Sequence, residues 1–291
     1  MSLFIESENS IRRSYELTGP VKTFTSDRAV IEIVPSKLFG EMLYIDGCLQ
    51  LALKDEYIYH EMLVHPTMAH AVKRTSVCIL GGGDGCALRE VLKWPDVKEV
   101  TVIDWDSRLV YLFQGQYASW NSQSFHDPRV KVEIADIMDL QGQKRQYDII
   151  LVDLLDPDCA DKKNMIFWDE LTELVRSWTH SQTVVTFNAG GFLPWNTSTL
   201  ECLTRELRYE WEGSKTLELA AYHVFVPSFT NEWCLFMVRP CDKIVDWSIL
   251  NPKTLRYFDE NAWILANLWT KDCSEMVPKR PVNLSNWAAP L

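Results

Sequence analysis

Residues 75–104 read TSVCILGGGDGCALREVLKWPDVKEVTVID, an apolar run ending in glycines, a segment with helical spacing, and a second apolar run ending in an acid. VCIL is continuous rather than alternating, as expected of a strand buried on both faces, and CALREVLKW carries apolar residues at helical spacing. Strand, helix and strand in so short a span make a βαβ unit, whose two strands lie parallel. The same rhythm continues downstream. SRLVYLFQGQYASW reads as a second helix, RVKVEIAD, YDIILVDLLD and TVVTFNAG as three further strands, and FWDELTELVRSW as a helix between the last two. The expected fold class is therefore α/β, a mostly parallel sheet with helices on both faces. KTLELAAYHVFV and WCLFMVRP read as an antiparallel pair at one edge of it, and TLRYFDENAWILANLW as a terminal helix.

Upstream the rhythm differs. AVIEIV (29–34), EMLYID (41–46) and CLQLAL (48–53) are short β-favouring runs separated by Pro35, Gly40 and Gly47, which predicts a small antiparallel meander. The change falls near residue 60 and divides the chain into an N-terminal β-domain, 1–60, and a larger α/β domain with the terminal helix, 61–291.

With 291 residues, 47% of them apolar, and twelve Trp, the chain has ample material for a folded core. Its 29 basic against 40 acidic side chains give a formal charge of −11, which argues against nucleic acid and anionic membrane as partners and favours a cationic one. The twelve Trp are expected mostly in the core. Eight Cys, none in a C-x-x-C pair and several inside apolar runs, read as reduced core thiols. No apolar run reaches the roughly 18 residues of a membrane span, and MSLFIESENSIRRSY lacks the pattern of a signal peptide, so a cytoplasmic location is expected.

Acids stand at four strand ends: Asp84 after the glycines that follow VCIL, Asp104 ending VTVID, Asp136 ending VKVEIAD, and Asp153 with Asp156 ending IILVDLLD. Open parallel sheets bind ligands at the carboxyl ends of their strands. Carboxylates gathered there repel one another unless a cation or an array of donors lies between them, so a positively charged ligand is the natural guest. Gly81, Gly82 and Gly83 let the backbone turn tightly and let a ligand approach, although a glycine turn alone reads equally well as structural. Asp84 inside that loop would repel a pyrophosphate, which favours a phosphate-free, positively charged nucleoside such as the sulfonium of an S-adenosylmethionine-type cofactor. Asp104 stands where an acid grips ribose hydroxyls in such sheets, and Trp105 beside it is a candidate to pack on adenine.

Asp153 alone could be a helix cap or a turn former. Set beside Asp84 and Tyr59, it reads as a general base for an amine nucleophile, which near neutral pH is protonated and unreactive. Tyr59 and His60 are followed by Glu61 and His65, and H-E-x-x-x-H turns its two histidines about 140° apart around a helix, unlike a zinc-binding pair. No metal site is expected. Asp55 and Glu56 just upstream could be solvated surface charges, the usual fate of such a pair, and are of interest only for their proximity to Tyr59.

IDGCLQ, DEYIYHEMLVH, VCILGGGDGCALREVLKWPDVKEVTVID, DPRVKVEIAD, YDIILVDLLDP and RYFDENAW together resemble the spermidine synthase (polyamine aminopropyltransferase) family, in family order over roughly residues 28–270. The resemblance implies a Rossmann-like, methyltransferase-type catalytic domain behind the β-domain, and a homodimer or homotetramer. It implies transfer of an aminopropyl group from decarboxylated S-adenosylmethionine, a co-substrate rather than a prosthetic group, to a diamine, putrescine by default, giving spermidine and methylthioadenosine. Carried over, Asp84 would hold the donor's ammonium, Asp104 its ribose and Asp136 its adenine amino group, with Gln50 and His60 as further donor contacts. Asp153 would be the base, with Tyr59 and Asp156 orienting the amine.

The chain also departs from the family pattern. Ala29 stands where the family usually has glutamine, Ile137 follows Asp136 in place of glycine, DCADKKNMIF replaces the Gly-Pro-Ala loop after Asp156-Pro157, and Phe229 replaces an acceptor-binding tyrosine. Lys162 and Lys163 would repel a polyamine if they faced it. Donor-side residues are largely kept and acceptor-side residues altered. An S-adenosylmethionine-dependent N-methyltransferase of a small amine, or a catalytically weakened relative, are the alternatives.

Overall fold

A computed structural model describes residues 2–8, 11–193, 198–211, 217–240, 252–271 and 273. Two strands, β1 (Leu3–Glu8) and β2 (Ile11–Glu16), form an antiparallel hairpin. Four more, β3 (Lys22–Thr25), β4 (Val30–Ser36), β5 (Gly40–Ile45) and β6 (Cys48–Ala52), form an antiparallel sheet. The meander read from 29–53 is β4 to β6. The sequence reading gives residues 1–60 as a β-hairpin/meander domain but places no strand in 1–25, where FIESE and RRSYE are too polar to announce one.

Helix α1 (Glu56–His70) follows and carries residue 60 within it. The larger sheet contains β7 (Ser76–Gly81), β8 (Glu99–Asp104), β9 (Val130–Ile134), β10 (Ile149–Asp153), β11 (Val184–Phe192), β12 (Leu217–Val226) and β13 (Asn231–Pro240), in the order β12-β13-β11-β10-β7-β8-β9. β9, β8, β7, β10 and β11 are parallel, and β13 and β12 add antiparallel at one edge, as the runs predicted. Strand order reverses between β7 and β10, which opens a crevice above their carboxyl ends. Apolar clusters fill both faces of this sheet, with Trp94 in one and Trp168 and Trp178 in the other.

The helices are shorter or differently placed than their runs suggest. α2 is Cys86–Val91, and α3, Ser107–Gln114, stops at Gly115 rather than running to residue 120. α4 (Lys162–Ser177) begins five residues before the expected FWDELTELVRSW. The loop after Pro157 is thus only 157–161, with Asp161 capping the helix through the Lys163 amide. α5 (Ser198–Trp211) was not expected, and the terminal helix shrinks to α6 (Glu260–Ala266). At its start Asp259 caps α6 by accepting the Ala262 amide, and just before it the amides of Arg256, Tyr257 and Phe258 all donate to Glu61 on α1.

Cys78, Cys86, Cys234 and Cys273 are buried free thiols as expected, but Cys48 is exposed and Cys159 and Cys202 only half-buried. Cys241 and residues 215–216, the start of the KTLELAAYHVFV run, lie outside the described residues. No described helix is long and apolar enough to cross a membrane.

Candidate active site

Gly81 ends β7 in register with Asp153 at the end of β10, so the glycine loop and the β10 carboxylate meet at the strand-order reversal. Gly81 has φ +80°, and a Cβ there would overlap the Asp153 carbonyl oxygen. At Gly83 a Cβ would lie 2.6 Å from Asp104 Oδ2. Only glycine lets the loop pass this close to both acids.

Asp153 accepts a 2.5 Å hydrogen bond from the Tyr59 hydroxyl. Burial, with the charge of Asp84 adding to it and His60 and Tyr59 opposing, pushes the Asp153 carboxyl up to about 6. Burial and the same carboxylate hold the Tyr59 phenol well above its ordinary value, so Tyr59 acts as a donor and never as a phenolate. His60, next along α1, shares its Nδ1 proton with Glu56 Oε2 at 2.9 Å and points Nε2 at Asp84 Oδ1, 3.8 Å away. Burial by itself would discharge this imidazole; Glu56 and Asp84 outweigh it and raise His60 to about 9, so it is a cation at neutral pH.

Glu56 is in turn forked by Arg89, with Nη1 and Nη2 at 3.0 and 2.9 Å from its two oxygens. Asp55 and Glu56 are therefore not solvated surface charges: both are 5% exposed. Their setting was hidden because the partner of Glu56 stands 33 residues away, on α2. Glu56, His60 and Cys86 lie close enough to resemble a metal cluster. In that cluster Arg89 neutralises Glu56, and burial with Asp84 holds the Cys86 thiol well above its ordinary value. His65 serves a different part of the molecule, bonding Glu90 through Nε2 at 2.9 Å and receiving the Trp94 indole N–H at Nδ1.

On the nucleoside side, Asp104 is buried and accepts from the Gly83 amide at 3.0 Å and the Asp106 amide at 2.8 Å. Burial, the leading influence, nonetheless raises it to about 6, and each oxygen keeps a lone pair for a hydroxyl. Asp84 accepts from the Cys86 amide, and Asn121 holds the Asp84 carbonyl from behind at 2.8 Å. Asp136 caps the turn Ile137–Leu140 through the Met138 amide. Gln50, exposed in the middle of β6, donates to the Cys48 carbonyl of its own strand. Among the described residues, neither Asp136 nor Gln50 shares a hydrogen bond with the Tyr59–Asp153 group. Trp105 is exposed and its ring is covered by the Arg28 guanidinium at 5.0 Å.

On the other side, exposed Asp156 is oriented by Asn188, a residue the sequence reading did not single out. Its amide nitrogen donates to Asp156 Oδ1 at 2.8 Å and to the Leu154 carbonyl, while its oxygen accepts from the Trp233 indole at 2.7 Å and from the Gly190 amide. A bulge in the pairing between Asn188 and Gly191 re-aims this side chain, and the asparagine before the Gly190-Gly191 pair was the available signal. Phe229 stacks on Trp233 at 4.5 Å, and both rings face Tyr59 at 6.2 and 6.4 Å. The result is an acidic crevice with an aromatic wall. Lys162 and Lys163 lie exposed at the start of α4.

The family model for the spermine/spermidine synthase domain matches residues 56–247. The polyamine aminopropyltransferase of Korarchaeum cryptofilum is 34% identical over 212 residues, 72% of this chain and 63% of the relative. That of Oceanobacillus iheyensis is 34% identical over 243 residues, 81% of this chain and 45% of the relative. The chain thus spans only part of the length of these curated relatives. In structure, it resembles a spermidine synthase in complex with the transition-state analogue AdoDATO, at a TM-score of 0.80, 21% identity and 94% of both chains. The spermidine synthase of Thermotoga maritima superposes with a TM-score of 0.78 at 20% identity, over 94% of this chain and 93% of that one. These likenesses establish the Rossmann-like, methyltransferase-type fold with its small N-terminal β region. From its sequence match over most of the larger sheet, this chain belongs to the spermine/spermidine synthase family.

Proposed function

We propose that this chain is an aminopropyltransferase that moves the aminopropyl group of decarboxylated S-adenosylmethionine to a diamine, putrescine by default, and releases methylthioadenosine. The observation that carries the reading is the Tyr59–Asp153 hydrogen bond set beside Asp84. The acceptor nitrogen attacks the carbon beside the sulfonium, the C–S bond breaks with its electron pair going to sulfur, and the amine's proton passes to Asp153. Positioning and exclusion of water supply most of the acceleration. Asp84 takes the donor's ammonium, Asp104 its ribose hydroxyls and the backbone of Gly81, Gly82 and Gly83 its close approach. Asp136 and Gln50 take the adenine edge and the outer rim, Asp156 with Tyr59 orients the amine, and His60 balances the carboxylates. We place the protein in the cytoplasm as a homodimer or homotetramer, with small cationic amines as its partners rather than nucleic acid or membrane.

The test is a mass-spectrometric assay of decarboxylated and intact S-adenosylmethionine against putrescine, cadaverine, agmatine and spermidine. An amine heavier by one aminopropyl unit together with methylthioadenosine is expected. Methylated amine from the intact donor would instead make the chain an N-methyltransferase, and no product from either donor would mark a silent relative.

Two further outcomes follow from the charges. Asp84→Asn should shrink the preference for the decarboxylated donor about tenfold in kcat/KM, because the group that attracts an ammonium and repels a carboxylate is gone. Preserved discrimination would move that role elsewhere. The pH profile of kcat/KM for the amine should fall on the acid side of a limb near 6, where Asp153 takes up its proton. A limb near an unperturbed value of about 4 would show that burial does not set the base.

A further inference from the structure

The turn between β12 and β13, residues 227–230, carries Phe229 against Trp233 and Tyr59, and it is held from outside its own sheet at two points. Asp55 occupies the N-cap position of α1, yet its side chain makes no capping bond. Oδ2 instead accepts the amide of Ser228, fully buried, at 2.7 Å. From the opposite direction Arg13 on β2 donates Nε to Thr230 Oγ1 at 2.9 Å and Nη2 to the Phe229 carbonyl at 3.4 Å. Thr230 sits at φ +55°, a left-handed conformation that a threonine does not adopt without support. Arg13 is itself fixed by Glu6 on β1, 3.2 Å away, whose carboxylate also accepts from Tyr15 and Tyr44. Residues more than two hundred positions apart in the chain thus meet at one aromatic corner of the crevice.

We propose that Arg13 and Asp55 are positioning residues, which hold the 227–230 turn so that Phe229 and Trp233 wall the acceptor side, and that the N-terminal hairpin thereby sets affinity for the amine but not for the donor. The inference rests on the proposed aminopropyl transfer. The hairpin reaches the turn backbone and the Thr230 hydroxyl, whereas the donor-side acids, Asp84 and Asp104, are tied to the glycine loop and β8. The clamp therefore acts on one substrate only.

Arg13→Ala should raise KM for the amine about tenfold, with kcat and KM for the donor within about twofold, since loosened positioning of a contact wall acts on binding of the substrate it touches. Thr230→Val, which removes only the hydroxyl, should move the same parameter in the same direction by less. Asp55→Ala should do the same, and Asp55→Asn, which keeps an acceptor for the Ser228 amide, should restore most of the loss. Asp259→Ala uncaps α6 without touching the hairpin or the turn; it should lower the melting temperature and leave KM for the amine alone. If Arg13→Ala does not fold, Thr230→Val and the Asp55 pair carry the test. An unchanged KM for the amine in the folded variants, or an equal rise in Asp259→Ala, overturns the inference while the enzyme remains an aminopropyltransferase. A wild-type protein with no amine-dependent product removes the functional reading and the inference together.

Discussion

Asp153→Asn should lower turnover by about 10²-fold or more while donor affinity stays nearly unchanged, the usual size of a general-base contribution. Asparagine has almost the shape of aspartate and keeps an acceptor for the Tyr59 hydroxyl, which now bonds Asp153 at 2.5 Å. The geometry should therefore survive while the ability to take a proton disappears. The backbone at this position is locked by register with Gly81, so the variant has little room to move. Single-turnover rates give the chemical step, and calorimetric titration with the donor checks that binding is intact. A loss below about tenfold would mean that the proton leaves by another route.

Gly81→Ala should act on the whole fold. The added methyl would have to occupy the place of the Asp153 carbonyl oxygen, and the backbone at φ +80° disfavours any L side chain. Overlap with backbone cannot be relieved by a rotamer change, so a cost of about 4 kcal/mol is expected, at the high end for a point substitution. For a chain of this size that lowers the melting temperature by roughly 10 °C. Gly47→Ala is the control: it too has positive φ, at +79°, but nothing lies within 4 Å of the added Cβ. Conformational strain alone should cost it about 1 kcal/mol. Equal melting temperatures in the two variants would show that the crowding between β7 and β10 is not what holds the site together.

The parallel strands were legible because most read as unbroken apolar runs, and the acids at their ends were legible because several carboxylates gathered on one rim call for a cation or donors between them. Asp84, Asp104 and Asp153 were found in this way, and the structure brings them together around the glycine loop. What escaped was polar structure that depends on distant partners. α1 gives no apolar stripe, since His60, Glu61, His65, Thr67 and His70 are all buried in it, each with its own partner. Glu56 looks like a surface acid until Arg89 is placed beside it, and Asn188 looks like a strand-end residue until its four hydrogen bonds are seen. Gln50 rested on family resemblance and Asp136 on its strand end as well, and among the described residues neither shares a hydrogen bond with the Tyr59–Asp153 group.

α1 has a consequence for how such a protein can change over generations. A helix with one wet face can accept substitutions there without cost, but this one faces α2 with His65, the C-terminal segment with Glu61, β11 with Thr67, the crevice with Tyr59 and His60, and Arg239 with His70. Almost every position answers to a different neighbour, so a change in any one calls for a matching change elsewhere. If the chain is an aminopropyltransferase, new amine preferences are then far more accessible through the 157–161 and 227–230 turns than through this helix. The helix can change only as a block, and the turns leave selection room to work.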